Sequence, residues 1–204
     1  MNFIDAVVII NLDRRPDRLE HVNRELQKIN ELDVSKIHRF AAIDNHLVGC
    51  LSSHLGVLQL AKHQQWKNVL ILEDDFTFID DANSFITKLH KFWDNFSDTF
   101  GFVQLTSNCS IQPDKNVFVY PHPPQEKTTN GAGYFVHSRC YNLLIDEFEK
   151  SVEPLRKTGQ HWNYANDMAW NNIRDKIPTF IFVPRLGHQY ANFSDLSLRE
   201  IGCQ

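Results

Sequence analysis

The sequence predicts a mixed α/β domain with a mostly parallel central sheet flanked by helices. Three observations lead there. Short apolar runs alternate with amphipathic segments through the first half of the chain, the order that strand–helix–strand units produce. The run Val69-Leu70-Ile71-Leu72 is apolar at four consecutive positions, as in a strand covered on both faces. Charged turns follow the apolar runs, at the edge where sheets of this kind bind ligands. The 204 residues fit one domain, 1–204, and a hydrophobic share of 42% is enough for a sizeable core and excludes global disorder.

The elements follow in order. Ala6 to Leu12 reads as the first strand, followed by the turn Asn11-Leu12-Asp13-Arg14-Arg15-Pro16-Asp17-Arg18. Pro16 suits the first position of a helix and Asp17 its first turn. Leu19, Val22, Leu26 and Ile29 then recur at helical spacing and give that helix one core face. Arg14, Arg15 and Arg18 gather where a helix N-terminus readily holds phosphate. The same arginines would equally solubilise an exposed turn. Ile37 to Ile43 reads as a second strand ending in Asp44. Gly49-Cys50-Leu51-Ser52-Ser53-His54 opens a helix whose Leu51, Leu55, Leu58 and Ala61 share a face. Ser53 and His54 are placed either to reach a ligand from that helix start or to serve as structural hydrogen-bonders.

Val69 to Leu72 ends in Glu73-Asp74-Asp75, three negative charges side by side. Little in the neighbouring sequence neutralises these carboxylates. They read either as a site for a hard divalent cation or as an acidic turn in solvent. Phe85, Ile86, Leu89, Phe92 and Trp93 mark the next helix, and Phe102 to Leu105 and Val117 to Tyr120 are strand candidates. Residues 121–129 are the most loop-like segment. Asn130-Gly131-Ala132-Gly133 leads into a short strand, Tyr134 to Val136, and a helix over 139–149. Thr158 to Asn163 reads as a second loop, leading to a short helix with Asp167, Met168 and Trp170. A last strand, Thr179 to Val183, precedes Pro184 and a polar tail with His188, Gln189, Ser194 and Asp195.

Composition narrows the function. A formal charge of −4 gives no general affinity for nucleic acid. No apolar run approaches the ~20 residues of a membrane span, and the N-terminal run lacks the basic flank of a signal peptide. Cys50, Cys109, Cys140 and Cys203 are widely separated, without a metal-type pair. A cytoplasmic protein with free thiols is therefore expected.

Taken together, Val8–Arg18, Gly49–His54 and Leu70–Asp75 resemble the corresponding stretches of glycosyltransferase family 25, the family of lipopolysaccharide and procollagen galactosyltransferases. Gly131–Arg139 and Gln189…Ser194-Asp195 are weaker echoes. The resemblance implies a GT-A-like fold and inverting transfer of galactose or glucose from a UDP-sugar to an acceptor hydroxyl on a glycan or a protein. It implies that Asp75 binds Mn²⁺ or Mg²⁺ while Glu73 and Asp74 face ribose and sugar. Asn11, Asp13, Arg14, Arg18, Asp44, Ser53 and His54 become donor-binding candidates. His188 is a candidate second metal ligand, with Gln189 matching the family pattern better. Asp167 is a candidate general base, or else a helix charge interacting with the dipole. Two other readings compete: a metal-dependent nucleotidyltransferase, and a non-catalytic relative that binds a sugar or a partner.

Overall fold

The computed structural model describes residues 1–112, 114, 117–122, 127–194 and 199–201. Asp195, Cys203 and part of the Pro-rich loop lie outside them. In chain order the elements are β1 (Ala6–Asn11), α1 (Pro16–Gln27), β2 (Ile37–Ala41), α2 (Gly49–His63), β3 (Asn68–Glu73), β4 (Phe76–Phe78) and α3 (Ala82–Phe96). They continue with β5 (Phe102–Gln104), β6 (Val119–Pro121), β7 (Gly133–His137), α4 (Tyr141–Thr158), α5 (His161–Tyr164) and α6 (Asn166–Ala169). The chain ends in β8 (Thr179–Phe182), β9 (Gly187–Gln189), β10 (Asn192–Ser194) and β11 (Arg199–Ile201).

A seven-stranded sheet, ordered β2-β1-β3-β7-β5-β8-β6, carries the fold. β1 lies between β2 and β3, parallel to both, with Val8 opposite His38 and Ile71. β7 runs antiparallel to β3 and β5, and β6 antiparallel to β8, so the remaining five strands share one direction. Two-residue alternation sends side chains to opposite faces and builds two cores. Val7, Ile9, Leu70 and Leu72 pack with Val22, Leu26, Phe85, Leu89 and Phe92 of α1 and α3. Ala6, Val8, Val69 and Ile71 pack with Leu51, Val57, Leu58, Leu144 and Phe148 of α2 and α4. Both faces of β1 and β3 are therefore sealed, and the polar residues that follow them emerge only at the carboxyl edge. Among the described residues, no helix is long and apolar enough to cross a membrane.

The structure differs from the sequence reading in its second half. The helix expected over 139–149 continues to Thr158, where Gly159 at φ 65° ends it, so most of the expected second loop is helical. The expected polar tail contains β9, β10 and β11. β4, which directly follows the acidic cluster, has no counterpart in the reading. It pairs antiparallel with β9, placing Phe76 opposite Gln189, and this ribbon brings the end of the chain back to the carboxylates.

Phe76 anchors the ribbon. It is fully buried, and a Cβ added at Gly187 would lie 2.2 Å from its Cε2. Gly187→Ala is therefore expected to destabilise the protein by ~1–3 kcal/mol through overpacking. Phe76→Leu in the same chain should recover part of that loss by making room. Denaturant unfolding of the two single variants and the double variant tests this, and strictly additive losses would refute it.

Candidate active site

A crevice of about 350 Å³ opens at the carboxyl ends of β1, β2 and β3. The turn after β1 supplies Leu12, Arg14 and Arg18; the chain after β2 supplies Ile43, Asp44, Asn45 and His46. The start of α2 supplies Gly49, Cys50, Ser53 and His54, β3 supplies Glu73, Asp74 and Asp75, and β9 supplies Gln189. Eight of the residues expected from sequence thus share one cavity: Arg14, Arg18, Asp44, Ser53, His54, Glu73, Asp74 and Asp75.

The carboxylates, which little in the neighbouring sequence neutralises, are neutralised in part by a residue distant in sequence. Arg18, in the first turn of α1 and 8% exposed, places Nε 2.9 Å from Asp74 Oδ1 and pairs through Nη2 with Asp75 Oδ2. Arg18 is far from the carboxylates in sequence and reaches them only through the fold, because α1 packs against β4, directly after the acidic cluster. Asn11 Nδ2 donates to Asp74 Oδ2 at 2.7 Å and to the Arg15 carbonyl at 2.9 Å. Its own Oδ1 accepts from Arg39 Nε at 2.9 Å, and Arg39 also pairs with Asp13 at 2.5 Å. Asn11 and Asp13 therefore lie outside the crevice lining: Asn11 holds Asp74 and Asp13 holds Arg39.

Burial pushes the Asp74 carboxyl up to about 6, against the pull of Arg18 and Asn11. Asp75 is also raised by burial, with Glu73 and Asp74 adding repulsion while Arg18 and Gln189 oppose it. Glu73 behaves differently. Burial opposes its charge, but His54 and Arg18 outweigh that and hold its carboxyl below the ordinary value. His54 is fully buried between Tyr134 Oη, 2.9 Å from Nδ1, and Glu73 Oε1, 3.2 Å from Nε2. Gln189 Nε2 donates to Asp75 Oδ2 at 3.2 Å and to Glu73 Oε2 at 3.4 Å.

Other expected residues have structural work. The buried Ser53 hydroxyl donates to the Gly49 carbonyl at 2.7 Å and accepts from Ile43 N–H at 2.8 Å, fixing the start of α2 against the chain after β2. Arg14 and Asp44 pair with each other at the crevice, both exposed. His188 does not line the crevice; it sits on β9 opposite Thr77, and its neighbour Gln189 does. Asp167 lies at the start of α6, also outside the lining, and its Oδ2 accepts from Asn130 N–H at 3.0 Å. Burial raises its pKa, and Glu73 and His54 are near enough to act on it electrostatically.

Two groups have the chemistry to hold a cation. Asp75 Oδ1 is buried without a hydrogen-bond partner among the described residues, which is costly unless something else meets it. Three carboxylates against the Arg18 guanidinium also leave a formal excess of two negative charges, the balance a divalent cation supplies. Cys50, His54 and Glu73 form the second group, with ligand atoms within 4.8 Å of one another. There, burial and the charges of Glu73, Asp167 and Asp75 keep the Cys50 thiol protonated. Sequence reasoning did not name Cys50, Asn45, His46 or Tyr134 as parts of the site, although Cys50 and Tyr134 lie within the stretches Gly49–His54 and Gly131–Arg139 that carry the resemblance.

The raised Asp74 pKa has a definite sign. The folded value, about 6, exceeds the unfolded value of about 3.9, so the folded state holds the proton more tightly. Stability contributed by this group therefore falls as pH rises through roughly 4 to 6, and the cost is fully present above that window. With chelator present, Asp74→Asn is expected to stabilise the fold by ~1–3 kcal/mol at pH 8 and by little near pH 4. Melting curves across pH test this; a gap between parent and variant that ignores pH would refute it.

A family model described as glycosyltransferase family 25 (LPS biosynthesis protein) matches residues 34–170, more than half of the chain. The match includes α2 and the acidic cluster but starts after the Asn11–Arg18 turn. No curated protein sequence gives a significant match. Among solved structures, the glycosyltransferase GlyE of Streptococcus pneumoniae TIGR4 is similar at 9% identity and a TM-score of 0.50, over 86% of this chain and 45% of that one. A glycosyltransferase involved in glycosylation of the major capsid of PBCV-1 is similar at 12% identity and a TM-score of 0.46, over 86% and 80% of the two chains. A197 from STIV gives 10% identity and a TM-score of 0.49, over 97% and 93%. At these identities the structural likeness concerns the fold alone, which is GT-A-like. With the family match spanning the sheet edge that carries the acidic cluster, the chain belongs to glycosyltransferase family 25.

Proposed function

We propose that this glycosyltransferase moves galactose or glucose from a UDP-sugar to an acceptor hydroxyl, with inversion and with the help of a divalent cation. The observation that carries the reading is Asp75 Oδ1, buried and unpartnered at a crevice bounded by three carboxylates. Asp75 would hold Mn²⁺ or Mg²⁺, with Gln189 beside it. When bound, the cation screens the charge that builds on the departing UDP. Arg18 orients Asp74 and Asp75, and Asn11 keeps Asp74 from turning away. Glu73, held ionised by His54, accepts hydrogen bonds from donor hydroxyls. Arg14 leaves Asp44 to meet the diphosphate. Asp167 takes the proton of the acceptor hydroxyl as its oxygen bonds to the anomeric carbon, while the bond to UDP breaks and UDP keeps the electron pair. The raised proton affinity of Asp167 suits that role.

The Arg18 contacts favour a second reading of the same transfer. A guanidinium already lies against both Asp74 and Asp75, so the diphosphate could be met by Arg14 and Arg18 without a cation. Calorimetric titration of UDP with Mn²⁺ or with chelator separates the two. Under the first reading, chelator and Asp75→Asn each abolish most of the binding, and Asp75→Asn also abolishes transfer while the protein stays folded. Chelator-insensitive UDP binding favours the second reading, and no UDP binding in either condition removes both.

Asp167 has an independent test, because it also pins the Asn130 N–H. Asp167→Asn keeps an acceptor oxygen for that hydrogen bond but removes the proton acceptor. Transfer is expected to fall roughly 10²- to 10⁴-fold, with UDP affinity and melting temperature nearly unchanged. Near-normal turnover would leave Asp167 as a structural pin.

A further inference from the structure

A second cavity, about 380 Å³, lies at the same carboxyl edge but on the other half of the sheet. β5 and β8 are parallel neighbours, and the chain leaving them forms its walls: Ser107, Asn108 and Cys109 after β5, Val183 and Arg185 after β8. Two features set it apart from an incidental hollow. Ser107 is 4% exposed, and its hydroxyl has no hydrogen-bond partner among the described residues, although it lines the cavity. Arg185, half-buried, makes a hydrogen bond through Nη1 to Asn108 Oδ1 at 2.9 Å and meets no carboxylate among the described residues. A buried hydroxyl that lacks a partner and a guanidinium fixed by a neutral amide together form a donor set for an anion. The remaining wall, including Phe182 and Val183, is apolar and suits the carbon face of a ring.

The strand arrangement ties this cavity to the crevice. Arg185 and Gln189 are four residues apart through β9, so their backbones are separated by at most about 14 Å. That span fits a short oligosaccharide lying along the carboxyl edge with one end in each cavity.

We propose that Ser107, Asn108 and Arg185 form a subsite for an anionic substituent, a carboxylate or a phosphate, on the acceptor glycan. Its assignment to the acceptor rests on the transferase reading above; anion binding at these residues does not. Arg185 donates to two oxygens of the group, Ser107 supplies the third donor, and Asn108 keeps the guanidinium in plane.

Cys109 provides a readout that needs no turnover, since it lines the same cavity and is a free thiol. Its alkylation by iodoacetamide is followed by peptide mass spectrometry, with methyl glucuronide, glucose 6-phosphate and neutral methyl glucoside as competing probes. One or both charged sugars should slow alkylation in a saturable way, and the neutral glucoside should not; the two charged arms distinguish carboxylate from phosphate. Arg185→Gln should weaken the protective sugar on the order of tenfold or more, and Ser107→Ala should weaken it in the same direction. UDP titration of Arg185→Gln should match the parent, because Arg185 lies outside the crevice. Equal protection by the neutral glucoside, no protection by either charged sugar, or unchanged protection in a folded Arg185→Gln variant each overturns the subsite. Loss of UDP binding in the parent, with charged-sugar protection intact, would instead overturn the donor reading and leave the anion subsite standing.

Discussion

The carboxyl edge depends on one buried ion cluster, Arg18 against Asp74 and Asp75. Taking these groups out of water is expensive, and each is tolerable only because the others are there. Arg18 stays charged despite its burial because Asp75, Asp74 and Glu73 all favour the charged form. The compensation is incomplete: Asp74 and Asp75 remain harder to ionise than ordinary carboxyls, and Asp75 keeps an oxygen with no partner. A fold selected for stability alone would replace such a cluster with apolar side chains of similar volume. Its presence directly after the apolar run Val69–Leu72 is the pattern expected when stability has been given up for binding.

Much of this edge is built by residues that never face the crevice. Arg39 on β2 holds Asn11 at the end of β1, and Asn11 holds Asp74 at the end of β3. The three parallel strands are thereby cross-linked by side chains near their carboxyl ends. Ser53 performs the same service between α2 and the chain after β2. The polar side chains that line the crevice are thus oriented by other polar side chains, which limits how far the site can relax when its charge changes.

What the sequence reveals follows from how local each signal is. The first strands, α1, the start of α2 and the acidic cluster are visible because periodicity, Pro16 and the unbroken run before Glu73 act within a few residues. Convergence of Arg14, Arg18, His54 and Glu73–Asp75 could be inferred because parallel strands put their carboxyl ends on one edge. β4 and β9 were not visible. Each is three residues long, and their pairing joins positions more than a hundred residues apart, so no local pattern marks them. The His188 and Gln189 alternatives illustrate the same limit: neighbouring strand residues point to opposite faces, and only the register with β4 decides which one reaches the carboxylates. The helical run extends to Thr158, past the expected end at 149, with Pro154 inside α4 rather than ending it.

The ribbon that escaped the sequence has the largest mechanical consequence. β9 is the connection through which Arg185, in the second cavity, and Gln189, in the crevice, share one short stretch of backbone. Its position is fixed from below by Phe76, on which Gly133 and Gly187 close so tightly that an added Cβ would fall within 2.8 Å and 2.2 Å of the ring. It is fixed from the side by the Leu105 carbonyl, which accepts from Leu186 N–H at 2.7 Å. A ribbon held on a buried ring and on the end of β5 therefore sets the spacing between Arg185 and Gln189 by packing alone.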